Sequence, residues 1–164
     1  MNLQSPHLTI EMTQEIFYCQ EALPLESGES FPEFQLNFTT QGQLNANKDN
    51  VIWVMHALTG DANPQEWWSG LIGEDKFFDP SKYFIVCANF LGSCYGSTQP
   101  LSNDPQNRKP YYYDFPNITT RDIAAALDKL RIHLGLGKIN TVIGGSLGGQ
   151  VALEWAVTLG DKLE

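Results

Sequence analysis

Apolar and polar residues follow two rhythms along this chain. Residues 8–18 (LTIEMTQEIFY) and 32–39 (PEFQLNFT) alternate apolar with polar, the period-2 pattern of strands with one buried face. Residues 51–55 (VIWVM), 83–89 (YFIVCAN) and 140–143 are short continuous runs rich in β-branched residues, as in strands covered on both faces. Pro24, Gly28 and Pro32 punctuate a turn region between the first two strands, and residues 42–50 form a second. Before the last strand, Ile123, Leu127, Leu130 and Leu134 lie on one helical stripe. Thr119 and Asp122 can cap that helix, and Gly135 suits its end. A second helix is expected from Leu147 to about Leu159.

Buried runs alternating with a helix imply parallel strands joined by crossovers, hence an α/β sheet with helices on both faces. The two amphipathic strands become its antiparallel N-terminal edge. Residues 91–117 fit no element: they are rich in Gly, Pro, Ser, Asn and Tyr and lack periodicity. A loop of that length in a compact domain usually serves function.

The chemistry concentrates at Thr141-Val142-Ile143-Gly144-Gly145-Ser146-Leu147-Gly148-Gly149, a strand, a glycine-rich turn and a helical start. Gly144-x-Ser146-x-Gly148 fits a nucleophile elbow, in which serine sits on a strained turn between small residues at a helix N-terminus. Helix-terminal amides there favour developing negative charge. A phosphate-binding P-loop would need Lys and Ser/Thr where Gln150 and Val151 stand, and a dinucleotide fingerprint needs glycine where Ser146 stands. Both fail; a tight turn with an incidental serine is the remaining alternative. An oxyanion hole would use the amide of Leu147 and one from the loop after an earlier strand. Val54-Met55-His56-Ala57-Leu58-Thr59-Gly60-Asp61 puts Leu58 in that position. His56 is tempting as a general base. It precedes the serine, however, and reads better as shaping this loop.

Composition narrows the partners. Ten Lys and Arg against nineteen Asp and Glu give a formal net charge of −9, which argues against nucleic acid and anionic membrane surfaces. The three cysteines, Cys19, Cys87 and Cys94, follow no CxxC spacing and read as buried or free thiols in a reducing compartment. No signal segment or membrane-length apolar run is evident, so the expectation is a cytoplasmic protein. His7, His56 and His133 are scattered, and no metal site is expected.

The ordered motifs His56 to Asp61, Trp67-Trp68, Leu71-Ile72-Gly73, Asn89 to Thr98, Asp114-Phe115-Pro116, Thr120-Arg121-Asp122, Gly144 to Gly149 and Ala152-Leu153-Glu154-Trp155-Ala156 resemble the homoserine O-acetyltransferase family of the α/β-hydrolase superfamily. The likeness spans about residues 50–164. It implies an α/β-hydrolase fold, a mostly parallel sheet with antiparallel N-terminal strands. It also implies that Ser146 takes an acetyl group from acetyl-CoA and passes it to the hydroxyl of L-homoserine, as in methionine biosynthesis. On this resemblance Leu58 and Leu147 are oxyanion donors, Thr59 belongs to the substrate pocket, and Trp67 and Trp68 are as suited to core as to pocket. No cofactor is implied beyond acetyl-CoA as a substrate. Gln99, Ser93 and Leu147 depart from the family pattern, which has glycine, often glycine and usually methionine there.

A serine nucleophile needs a base and an orienting acid, placed after it in this fold. The residues after Ser146 contain no histidine, and their acids are Glu154, Asp161 and Glu164. Glu154 falls too far along the helix to reach back. The elbow strand, normally central, would form an edge with one flank bare. Residues 1–164 are therefore expected to be the N-terminal part of a single catalytic domain, truncated after the elbow helix and nearly inactive alone. Two other functions remain: an esterase or thioesterase using the same elbow, and a non-catalytic binding module. A succinyl donor, a serine acceptor and a homodimer also stay open.

Overall fold

A computed structural model describes residues 10–160. In chain order the elements are β1 (Thr13–Cys19), β2 (Leu23–Pro24), β3 (Ser30–Phe31), β4 (Phe34–Gln41), β5 (Val51–Met55), α1 (Pro64–Trp67), β6 (Phe84–Ala88), α2 (Thr120–His133), β7 (Thr141–Gly144) and α3 (Leu147–Leu159). Five strands form one sheet in the order β1-β4-β6-β5-β7. β1 and β4 run antiparallel to their neighbours, while β5 is parallel to both β6 and β7. All five strands read from the sequence are present. The first begins at Thr13 rather than residue 8, and residues 8–9 lie outside the described part. The two-residue ribbon β2–β3 was not anticipated; it sits where proline and glycine suggested only a turn.

The strand order decides which face each connection covers. From β5 the chain steps one way to β6, then back past β5 to β7. Two right-handed crossovers in opposite directions must lie on opposite faces. Accordingly, the segment after β5, with α1, Ile72 and Phe78, packs on Ile52, Val54, Ile85 and Cys87. α2 and α3 pack together on Val51, Trp53, Met55, Val86 and Ala88. The expectation of helices on both faces needs this refinement: both long helices share one face, and the other carries a single turn. Trp53 and Trp155 meet edge to face at 4.7 Å in the centre of the helical side.

α2 starts as its sequence suggests. Thr119 accepts from the Asp122 amide while Asp122 accepts from the Thr119 amide, a reciprocal capping box. Asp122 is buried and also accepts from the Glu26 amide at 2.9 Å, tying the N-terminal turn to the helix. Gly135 closes the helix at φ +65°. Arg121 bridges Glu26 at 2.7 Å and Glu154 at 2.5 Å, so one side chain links the turn, α2 and α3. Among the described residues, no helix is long and apolar enough to cross a membrane.

α3 approaches the end of β5 backbone to backbone. A Cβ on Gly148 would lie 2.2 Å from the Met55 carbonyl oxygen, and one on Gly144 would lie 2.5 Å from the Gly148 carbonyl carbon. A methyl group at position 148 would therefore push the helix off the sheet. Gly148→Ala should destabilise the protein by about 3 kcal/mol. Gly137→Ala, at a site with open space, should be nearly neutral. Chemical denaturation of the two variants checks this contrast.

Candidate active site

The elbow follows directly from that close approach. β7 pairs with β5 up to Gly144 opposite Met55, the chain turns, and α3 begins at Leu147. Ser146 occupies the turn at φ 55°, ψ −124°, a conformation costly for any residue with a side chain, of order 1–3 kcal/mol. Its hydroxyl makes no capping bond to the helix and is exposed. Leu147 is the first residue of α3, and a helix leaves its leading amides without a carbonyl partner within the helix.

Leu58 leaves β5 on a tight turn closed by the Gly60 amide on the Ala57 carbonyl at 2.8 Å. Leu58 and Leu147 both line one cleft of about 620 Å³. The rest of its wall includes Phe90–Cys94 and Tyr112, Tyr113, Phe115 and Ile118 at the two ends of the long irregular loop, together with His56, Pro100 and Ile123. That loop stays largely irregular, with one 3-10 turn at Tyr112–Asp114, and it borders the candidate site. Tyr112 carries a left-handed φ of 46° where the chain bends over the cleft. Ser146 faces the neighbouring groove along the open edge of β7, with Gly144, Leu153 and Ala156. The two concavities adjoin at the Ser146–Leu147 peptide.

The other candidates separate clearly. His56 is buried and stacks on Phe90 with ring centres 4.0 Å apart. The Phe90 amide donates to His56 Nε2 at 2.9 Å, so Nδ1 must carry the proton, and it donates to the Ala57 carbonyl at 2.7 Å. Both nitrogens are committed, and His56 fixes the loop instead of acting as a base. Glu154 is held by Arg121. Thr59 is exposed on the turn beside Leu58 and is absent from the described cleft wall. Trp67 packs into the smaller core and donates Nε1 to the Asp61 carbonyl at 3.3 Å. Trp68 packs there too, and a Cβ at Gly145 would stand 3.8 Å from its ring. Cys19 and Cys87 are buried free thiols, burial pushing the Cys87 thiol far up, whereas Cys94 is exposed at the cleft. Sequence reasoning did not foresee the aromatic wall at 112–118, although the length of the loop was its signal.

Comparison with known proteins agrees with this geometry. A family model described as the alpha/beta hydrolase fold matches residues 50–163. The chain is 93% identical over its whole length to a homoserine O-acetyltransferase of Cyclobacterium marinum, of which it covers 47%. It thus spans about half the length of that curated relative. Among solved structures, a homoserine O-acetyltransferase from Bacillus anthracis superposes with TM-score 0.85 at 30% identity, covering 93% of this chain and 45% of that one. Esterase E22 superposes with TM-score 0.84 at 25% identity, covering 94% and 46%.

The buried imidazole gives the fold a pH dependence. Desolvation holds His56 below its ordinary value, with the Ala57 hydrogen bond opposing. The unfolded chain therefore binds this proton more readily than the folded one. The stabilisation is complete above the ordinary histidine pKa of about 6.5 and is lost as pH falls toward and through the lowered value. His56→Ala, which strands the Phe90 amide, should cost about 2–4 kcal/mol at neutral pH. It should also flatten the decline of stability between about pH 7 and pH 5. Urea midpoints across that range test both.

Proposed function

Because the chain belongs to the alpha/beta hydrolase family, we propose that it supplies the nucleophile half of a homoserine O-acetyltransferase site. The observation that carries this reading is the strained, exposed Ser146 at the start of α3, with Leu58 and Leu147 lining one cleft beside it. The likeness to two homoserine O-acetyltransferases, one over the whole chain, supports the transferase reading of that elbow.

In the proposed mechanism the Ser146 oxygen attacks the thioester carbonyl of acetyl-CoA. The amides of Leu58 and Leu147 stabilise the oxyanion, CoA leaves as thiol, and the acetyl group remains on Ser146. The hydroxyl of L-homoserine then attacks the acyl-enzyme and carries the acetyl group away as O-acetylhomoserine, a step suited to methionine biosynthesis. Thr59 would contribute to the acceptor side of the pocket. A base must take the Ser146 proton and return it to the departing thiolate. His56 is committed elsewhere, so a histidine oriented by an acid is assigned to the whole protein, with residues 1–164 forming one part of its single catalytic domain. The free thiols suit a reducing, cytoplasmic setting.

The esterase E22 likeness favours hydrolysis as the second reading, with water replacing homoserine. The two differ in what triggers turnover. In the full-length protein, CoA thiol release from acetyl-CoA should depend on L-homoserine; release at the same rate without it would identify a hydrolase. Ser146→Ala should lower either reaction by at least about 10³-fold. Acetyl transfer surviving that change would refute the assignment.

A further inference from the structure

No lysine, arginine, aspartate or glutamate lines the cleft that holds Leu58 and Leu147 among the described residues. Acetyl-CoA carries phosphate groups at the far end of its pantetheine arm. Their partners must stand outside the cleft, on a chain whose formal net charge is −9. Most described cations are committed or misplaced. Arg121, Lys129 and Arg131 are paired with carboxylates. Lys48, Lys82 and Lys138 lie just before β5, β6 and β7, at the end of the parallel strands opposite Ser146. Lys76 lines a separate pocket with Asp79 and Ser81. Arg108 and Lys109 remain, both exposed and neither paired with a carboxylate among the described residues.

This cation pair sits on a braced arm of the long loop. The Tyr112 amide donates to the Pro100 carbonyl at 2.7 Å, and the Tyr111 amide to the Ser102 carbonyl at 3.0 Å. Asn103 and Pro110 form an antiparallel bridge. Beyond it the Asp104 amide donates to the Lys109 carbonyl at 2.8 Å, and the Arg108 amide to the Asp104 carbonyl at 2.7 Å. Pro100 and Tyr112, at the base of this ladder, line the cleft, so its rungs lead from the cleft wall to the cations. The Asp104 carboxylate accepts from the Gln106 amide at 2.9 Å and from the Asn107 side chain at 2.7 Å, and not from either cation.

We infer that Arg108 and Lys109 form an anion subsite that binds the phosphate groups of the acyl donor. This rests on the transferase reading above. Lys109 stands three residues before Tyr112, so their Cα atoms are at most ~11 Å apart. The thioester sulfur of acetyl-CoA and its nearest phosphorus are separated by about thirteen bonds, the length of roughly four extended residues or ~15 Å. A pantetheine arm laid along the apolar cleft wall brings its phosphates within reach of these two long side chains. The guanidinium offers a planar fork to phosphate oxygens, and the ammonium adds a point charge.

Steady-state kinetics of the full-length protein test the subsite by comparing acetyl-CoA with S-acetylpantetheine, which lacks the phosphates. The double variant Arg108→Gln, Lys109→Gln should lower kcat/KM for acetyl-CoA about 5- to 30-fold at low ionic strength, and less in high salt. With S-acetylpantetheine the loss should vanish, and kcat/KM for L-homoserine should not follow the acetyl-CoA loss. Arg108→Lys with Lys109→Arg, which keeps both charges, should retain most of the acetyl-CoA activity. Equal losses with both donors, or no loss with acetyl-CoA, would overturn the inference while leaving the transferase reading intact. Wild-type protein that transfers no acetyl group would overturn both.

Discussion

The site depends on one contact between main chains: the first turn of α3 lying against the end of β5. There is no room for even a methyl group at Gly148 facing the Met55 carbonyl, or at Gly144 facing Gly148. This intimacy forces the chain to reverse between β7 and α3 within two residues, which places Ser146 in its strained conformation. It also sets the leading amide of α3 beside the loop that leaves β5. The candidate nucleophile and candidate oxyanion donors are thus located by backbone packing, which is stiffer than any arrangement of side chains.

The second support is the long loop, which is irregular yet firmly held. β6 pairs with β4 only from Phe38 to Gln41. The loop takes over the rest of that edge: the Thr98 amide donates to the Gln35 carbonyl at 3.0 Å, and the Gln35 amide donates to Thr98 Oγ1 at 2.8 Å. The Asn37 amide donates to Ser97 Oγ at 3.1 Å, and Ser97 Oγ donates to the Asn89 carbonyl at 2.6 Å. A sheet edge that would otherwise expose backbone groups becomes the footing for the cleft wall. His56 braces the same wall from the β5 side through Phe90.

Much of this was legible in the residues because it depends on local pattern. Alternation marked β1 and β4, continuous apolar runs marked β5, β6 and β7, the Thr119–Asp122 pair marked the start of α2, and Gly144-x-Ser146-x-Gly148 marked the elbow. The bare flank of β7 also matched: it pairs only with β5 among the described strands. What escaped was long-range. Nothing in the spacing of Glu26, Arg121 and Glu154 says that they join, and the β2–β3 ribbon is too short to carry a periodic signal. The sharing of one face by both long helices comes from strand order, which no segment contains. Thr59 was named on the family resemblance; it is exposed on the turn beside Leu58 and does not line the described cleft.

The most direct test of the central claim is to find the covalent intermediate. The full-length protein would be mixed with acetyl-CoA in the absence of any acceptor, quenched rapidly in acid, and digested for peptide mass spectrometry. An acetyl group on Ser146, discharged when L-homoserine is added before the quench, is the expected result. Acetyl-CoA consumed by homoserine with Ser146 never acetylated would contradict it.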